Sequence, residues 1–254
     1  MLLLALDTST RQASIALCSE SELYGEYTWH VGNNHSVELL RNIQWLLAEC
    51  QMTLQQLDAV AVASGPGSFN GLRVALASAK TLAFALKKSL VGVSTLEVIA
   101  ARQQLWHGPV CAVLEAGRSE LYAACFQFAE QHKGNSDVLC HLRRLSDDLL
   151  LTPQQLASYL QEQAGKWSVG VKEQQTVLFC GEMREASRQV LQEQMRGDCS
   201  FVSDVREASV LAMLALQRLH EGKEDNPLLL EPLYLRRPSI TKSMRKQPLL
   251  GGVV

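Results

Sequence analysis

No run of this chain stays apolar over the ~20 residues that a membrane-spanning helix requires. Met1-Leu2-Leu3-Leu4-Ala5-Leu6 is apolar but short, meets Asp7 at once, and lacks a basic leader and a cleavage site; it reads as a buried strand and not as a signal peptide. An excess of one charge is also missing. Lys and Arg total 24 against 26 Asp and Glu, a net charge of −2, so the molecule carries no broad field for nucleic acid, and RNA contact needs a local patch or a partner. The seven cysteines are odd in number and form no CxxC pair, which leaves them as small reduced core residues of a cytoplasmic protein. Several signatures of chemistry are missing too. Without GxxxxGK[ST] or GxGxxG there is no Walker-type or dinucleotide loop; without HExxH or HxxxH there is no clustered zinc site; without GxSxG there is no serine nucleophile elbow. The six histidines read as solvated or core residues.

What is present is a globular composition, 47% apolar over 254 residues, enough for one large domain or two small lobes. Residues 2–6, 13–18 and 23–29 read as three strands joined by short turns, an antiparallel meander. A helix follows over 36–50, with Ser36 as N-cap and Leu39, Leu40, Ile43, Leu46, Leu47 and Cys50 on one stripe. Trp45 falls off that stripe, and two readings of it are open: an aromatic lying flat on the surface, or an interface anchor.

Residues 59–87 concentrate the information. The strand Ala59-Val60-Ala61-Val62-Ala63 runs into Ser64-Gly65-Pro66-Gly67-Ser68-Phe69-Asn70-Gly71, and an alanine-rich helix pattern over 72–86 follows. Strand, glycine turn and helix is a layout that aims backbone N–H groups at an anion. Asp7-Thr8-Ser9-Thr10, in the first strand–strand turn, offers an acid for a hydrated metal and hydroxyls for a phosphate. Asp7, Ser9, Gly65, Gly67 and Ser68 are therefore the candidate phosphate residues, against a plain reading of a tight turn that lets helix and sheet pack closely. The helix itself is apolar on nearly every side, with only Arg73, Ser78, Lys80 and Thr81 polar. Its second face needs a cover, either helices of another chain or the last helix of this one, over 208–220.

His107-Gly108-Pro109 breaks the pattern and divides a first lobe, 1–108, from a second, 109–237. The second half restarts alike: strand 110–114, an acid-led turn from Glu115 to Glu120, and a returning strand 121–128. A polar loop is expected over 131–135, a helix opening at Thr152-Pro153, and a strand–Gly181–helix unit over 177–194. Residues 238–254 form a basic tail with Lys242, Arg245 and Lys246, either a solvated end or an RNA contact.

Leu-Ala-Leu-Asp7-Thr8-Ser9, His35-Ser36-Val37-Glu38-Leu39-Leu40, Ser64-Gly65-Pro66-Gly67-Ser68-Phe69-Asn70-Gly71-Leu72-Arg73, Gly92-Val93-Ser94-Thr95-Leu96-Glu97, Glu120-Leu121-Tyr122 and Pro232-Leu233-Tyr234-Leu235-Arg236 occur in that order. On these segments the chain resembles the TsaB/YeaZ family of bacterial tRNA threonylcarbamoyladenosine synthesis. The resemblance implies an α/β fold of the actin/sugar-kinase/Hsp70 (ASKHA) type, with two lobes of mixed sheet and flanking helices. It also implies a heterodimer with the catalytic subunit TsaD, assembly with the ATPase TsaE, and transfer of threonylcarbamoyl from an adenylate to N6 of adenosine 37 in tRNAs reading ANN codons. TsaD-like proteins carry a metal-binding HxxxH after the equivalent of Gly92-Val93; Thr95 and Ile99 stand there in this chain, and neither replaces an imidazole. Phosphate-binding members of the fold read Asp-x-Gly-x-Thr, where this chain has Ser9 for the glycine. Glu115-Ala116-Gly117-Arg118 departs from the family's Asp-Ala-Arg, and Asn70 stands for the more usual Thr.

The expectation that follows is a non-catalytic scaffold without a cofactor of its own, any nucleotide lying at the partner interface. Its docking residues are Leu39, Leu40, Ile43, Trp45 and Leu47 on the first helix and Arg73, Leu76, Ala79, Lys80 and Ala83 on the second. The same helices serve a homodimer when TsaD is absent, and tRNA is reached only through the complex. The rival expectation is a small-molecule kinase or ATPase using Asp7 and the Gly65–Ser68 turn.

Overall fold

The computed structural model describes residues 1–32, 35–133, 137–167, 176–203 and 206–236. Strands β1 (Leu3–Asp7), β2 (Gln12–Cys18) and β3 (Leu23–His30) form the antiparallel meander. Helix α1 (His35–Glu49) leads to β4 (Ala59–Gly65), α2 (Phe69–Leu86) and β5 (Ser89–Ser94). Because β4 and β5 add in parallel to β1, the first sheet has the order β3-β2-β1-β4-β5. Short turns permit the antiparallel pairs, and of the two parallel pairs, β1–β4 and β4–β5, the second is joined by the α2 crossover.

After α3 (Thr95–Ala101) the same plan repeats with β6 (Val110–Gly117), β7 (Glu120–Lys133) and β8 (Asp137–Arg144) antiparallel. Strand β9 (Leu149–Leu151) pairs with β7, and helix α4 (Pro153–Trp167) follows. Strand β10 (Val177–Glu182), α5 (Glu185–Gln194) and β11 (Cys199–Val202) complete a second sheet of order β11-β10-β6-β7-β8. A doubled sheet of this topology is the actin/sugar-kinase/Hsp70 fold.

Strand and helix start where their residues dictate. Val, Ile, Leu and Ala fill β1, β2, β4 and β5 without alternation because both faces of the first sheet are covered. One face carries α1 and α2, joined to Leu4, Leu6, Ile15, Leu17, Val60 and Val62 in one core cluster. The other carries α6 (Ala208–His220), which packs Leu211, Ala212 and Ala215 on Leu3, Ala5, Ala61 and Val91. The last helix thus lies across the sheet from α2 and does not cover the outer face of α2.

Two expectations change here. Residues 131–133, read as a polar loop, continue β7, where His132 pairs with Val138 and Lys133 with Asp137; backbone pairing with β8 extends the strand. The remainder of that loop, and the basic tail, lie outside the described residues. The helix of the glycine segment starts at Phe69 and not Leu72, since Ser68 is its N-cap and accepts a hydrogen bond from the Gly71 N–H at 3.4 Å.

The cysteines with described side chains are free thiols, and four of them, Cys18, Cys111, Cys125 and Cys180, are buried. A hydrogen bond with Cys125, its cross-strand neighbour, together with burial pushes the Cys111 thiol well above its ordinary pKa; burial and Glu26 push Cys18 to about 11. A raised pKa leaves less thiolate at neutral pH, and the thiolate is the reacting species. Burial also raises the half-buried Cys50 and Cys199 thiols, so access of the reagent decides: among the described cysteines, alkylation of the native protein is expected at these two first, with the four buried thiols modified only after unfolding, as peptide mass mapping will read.

Candidate functional site

The two acid-led turns face one another across a cleft of about 680 Å³ between the sheets, lined by Thr10, Arg11, Gly67–Phe69, Glu115–Gly117, Tyr122, Glu182–Arg184, Tyr234 and Arg236. Gly67 and Ser68 border it, but Asp7 and Ser9 do not. Asp7 is 1% and Ser9 0% exposed, at the end of β1 and in the turn behind the cleft wall.

The Asp7 carboxylate is already engaged. Its Oδ1 accepts hydrogen bonds from the Ser9 N–H at 2.8 Å and the Ser9 hydroxyl at 2.6 Å, and Arg206 Nη1 stands 3.3 Å from Oδ2. Arg206 is 2% exposed, the largest of the fully buried side chains, and also bonds Ser9 Oγ, Thr10 Oγ1 and the Gln12 carbonyl. Sequence reading gave no hint of Arg206, which lies in a short unpatterned stretch between β11 and α6. The second turn is similar. Glu115 Oε1 accepts from the Arg184 backbone N–H at 2.9 Å and the Ser187 hydroxyl at 2.7 Å. It thereby satisfies open donors at the start of α5, where a negative charge is favoured by the helix dipole.

The glycines serve close packing. A Cβ at Gly71 would strike the Thr8 carbonyl, and one at Gly67 the Ser9 carbonyl; Thr8 Oγ1 donates to Gly71 O at 2.7 Å and Ser68 N–H to Ser9 O at 2.6 Å. Gly65 adopts φ +116°, a region that favours glycine, and packs against Leu72 and the Leu233 backbone. The segment is thus clamped to the Asp7–Ser9 turn. Gly71→Ala is expected to cost roughly 1–3 kcal/mol in chemical denaturation, because both facing atoms are backbone and cannot step aside.

A strap over residues 225–236 closes this end. Leu233 N–H donates to Ser64 O at 2.8 Å, the Tyr234 ring lies tilted 5.0 Å from Phe69, and Arg236 pairs with Glu120 and the Ala116 carbonyl. Lys80, expected at a partner interface, spends its charge within the chain, donating to the Leu230 carbonyl at 3.0 Å.

Of the other residues expected on the docking surface, Leu39, Ile43, Leu47, Leu76, Ala79 and Ala83 are buried against the chain's own first sheet. Their side chains are not available to a partner. In α2 the buried stripe is Leu72, Ala75, Leu76, Ala79 and Ala83, spaced by three and four residues. The outward residues are Ser36, Val37, Leu40, Arg41, Gln44, Trp45, Ala48 and Glu49 of α1 and Phe69, Asn70, Arg73, Ala77, Thr81, Phe84 and Ala85 of α2, a face on which large apolar side chains alternate with polar ones. Leu40 is 50%, Trp45 47% and Phe84 68% exposed. The Trp45 ring leans on Tyr27 at 5.1 Å and keeps its other side to solvent. Arg73 lies 5.3 Å over the Phe69 ring.

Thr95 and Ile99, at the positions of the HxxxH histidines, are 0% and 1% exposed in the core. Among the described residues no group of three or more His, Cys, Asp or Glu side chains is placed to hold a metal ion. Nor is any described helix long and apolar enough to cross a membrane.

The family described as "TsaD: tRNA N6-adenosine threonylcarbamoyltransferase" matches residues 30–244. The chain is 37% identical over 128 residues to the tRNA threonylcarbamoyladenosine biosynthesis protein TsaB of Bacillus subtilis (strain 168), covering 50% of this chain and 56% of that protein. It is 28% identical over 252 residues to TsaB of Haemophilus influenzae, covering 95% and 96% of the two. The crystal structure of a Pseudomonas aeruginosa protein "with similarity to peptidase YEAZ" superposes with a TM-score of 0.73 at 28% identity, over 92% of this chain and 99% of that one. A structure titled "YeaZ from Pseudomonas aeruginosa" gives 0.71 at 27% over the same shares. Matched along most of its length by the family and by TsaB and YeaZ proteins alike, the chain belongs to the TsaB/YeaZ group of the TsaD family.

Proposed function

We propose that this chain takes part in forming N6-threonylcarbamoyladenosine at position 37 of tRNA, as the non-catalytic subunit that docks and activates a TsaD-type catalytic subunit together with a TsaE-type ATPase. The observation that carries this reading is the set of large apolar side chains turned outward on neighbouring helices, Val37, Leu40 and Trp45 of α1 and Phe84 of α2, with Leu40 and Phe84 at 50% and 68% exposure. Large apolar side chains clustered on two neighbouring helices and rimmed by polar ones suit helix packing with a partner. In the partner's absence the same face serves a second copy of the chain. The name of the TsaB relatives supports the pathway, and the match to the TsaD family supports a partner of related fold.

The engaged acids argue against the rival kinase or ATPase. A metal–nucleotide, the usual ligand of this fold, does not fit the Asp7 turn, because the carboxylate is saturated by Ser9 and by the guanidinium of Arg206. Any nucleotide in the assembly would lie at the partner interface. The chain reaches tRNA through the complex and works where tRNA is modified, in the cytoplasm.

The test is capture of purified TsaD-type subunit by tagged chain, followed by gel filtration. A one-to-one complex is expected; two separate elution peaks at micromolar concentrations would overturn the docking role.

A further inference from the structure

Arg206 does more than neutralise Asp7. Its Nη1 faces Asp7 and Ser9 in the first sheet's turn, and its Nη2 reaches Glu182 Oε1 of β10, in the second sheet, at 3.2 Å. Thr10 Oγ1 completes the bridge by donating to the same Glu182 oxygen at 2.7 Å. One planar guanidinium thus joins carboxylates from both sheets, a geometry that arginine's forked donors allow and a lysine's point charge does not. The group sits at the base of the cleft, on the segment that connects β11 to α6.

We infer that Arg206 is a built-in counter-ion standing in for a divalent cation at the Asp7 turn, and a clasp that fixes the two sheets in one relative position. Here the bridge is covalently part of the chain. The cleft of this protein therefore does not cycle with nucleotide, and its geometry is constant whether or not a metal–nucleotide is in solution. Glu115 supports the same conclusion from the opposite wall, as the chain's own anion at the start of α5. This inference concerns the isolated chain and stands independently of the docking role.

Hydrogen exchange read by mass spectrometry tests it on wild-type, Arg206→Met and Glu182→Ala proteins, with and without magnesium ATP. In the wild type, peptides covering residues 7–14 and 180–186 are expected to exchange at the same rate in both conditions. Arg206→Met is expected to speed exchange of those peptides about tenfold or more, and Glu182→Ala about threefold, while β4 stays protected. Where Arg206→Met also loosens β4, Glu182→Ala decides alone, since its half-exposed carboxylate carries no core packing. Slowing of wild-type exchange at residues 7–14 by magnesium ATP would overturn the inference. So would unchanged exchange in Glu182→Ala.

Discussion

Replacing Leu40 and Phe84 together by arginine is expected to leave the chain folded and to weaken its association with a TsaD-type subunit by at least about a hundredfold. Both side chains lie outside the core at 50% and 68% exposure, so the substitutions remove little internal packing. At the centre of an apolar interface each would place an unpaired guanidinium away from water, and truncating or charging a central anchor costs about 2 kcal/mol or more. The control is informative. Arginine at Ala79 or Ala83, which are 0% and 1% exposed, would be driven into the first sheet, so loss of binding there would report unfolding and not docking. Unchanged circular dichroism and melting, with loss of co-elution, is the signature expected of the Leu40 and Phe84 pair. Retained co-elution would move the interface off these helices.

Arg206→Met is expected to lower stability by about 3–5 kcal/mol, the range for removing one member of a buried ion pair and leaving the other uncompensated. For a chain of this length each kcal/mol moves the melting midpoint by about 2–4 °C. The double variant Asp7→Asn with Arg206→Met should recover part of that loss, because no buried charge is then left alone. Urea denaturation of the two single variants and the double one gives the coupling directly. A loss under about 1 kcal/mol for Arg206→Met would show that water reaches the turn and that the clasp carries little weight.

The sequence shows much of the frame that holds these sites and little of what fills them. The meander of β1, β2 and β3 is legible because the strands are short, close and separated by polar turns. The glycine segment is legible as a turn entering a helix, and its role as a clamp follows from the Thr8 and Ser9 backbone against Gly71 and Gly67. The faces of α2 are not legible. Ala75, Ala79 and Ala83 point inward while Ala77 and Ala85 point outward, so composition gives no contrast between the buried stripe and the open one. Leu40 shares an apolar stripe with Leu39 and Ile43 on paper, yet it turns to solvent while they pack on the sheet. Arg206 is invisible for another reason. Its partners at Asp7 and Glu182 lie far away in the chain, and no local periodicity marks a residue whose burial is decided by tertiary contacts.

The most direct test of the scaffold role is reconstituted modification of an ANN-reading tRNA transcript. It would contain a TsaD-type subunit, a TsaE-type ATPase and preformed threonylcarbamoyl adenylate, with wild-type chain, no chain, or the Leu40→Arg, Phe84→Arg variant. Mass spectrometry of digested tRNA reads the modified nucleoside. The expected result is sustained formation of N6-threonylcarbamoyladenosine with the wild type, and near-background levels both without the chain and with the folded variant. Full modification in the absence of the chain, or with the variant that no longer docks, would contradict the account.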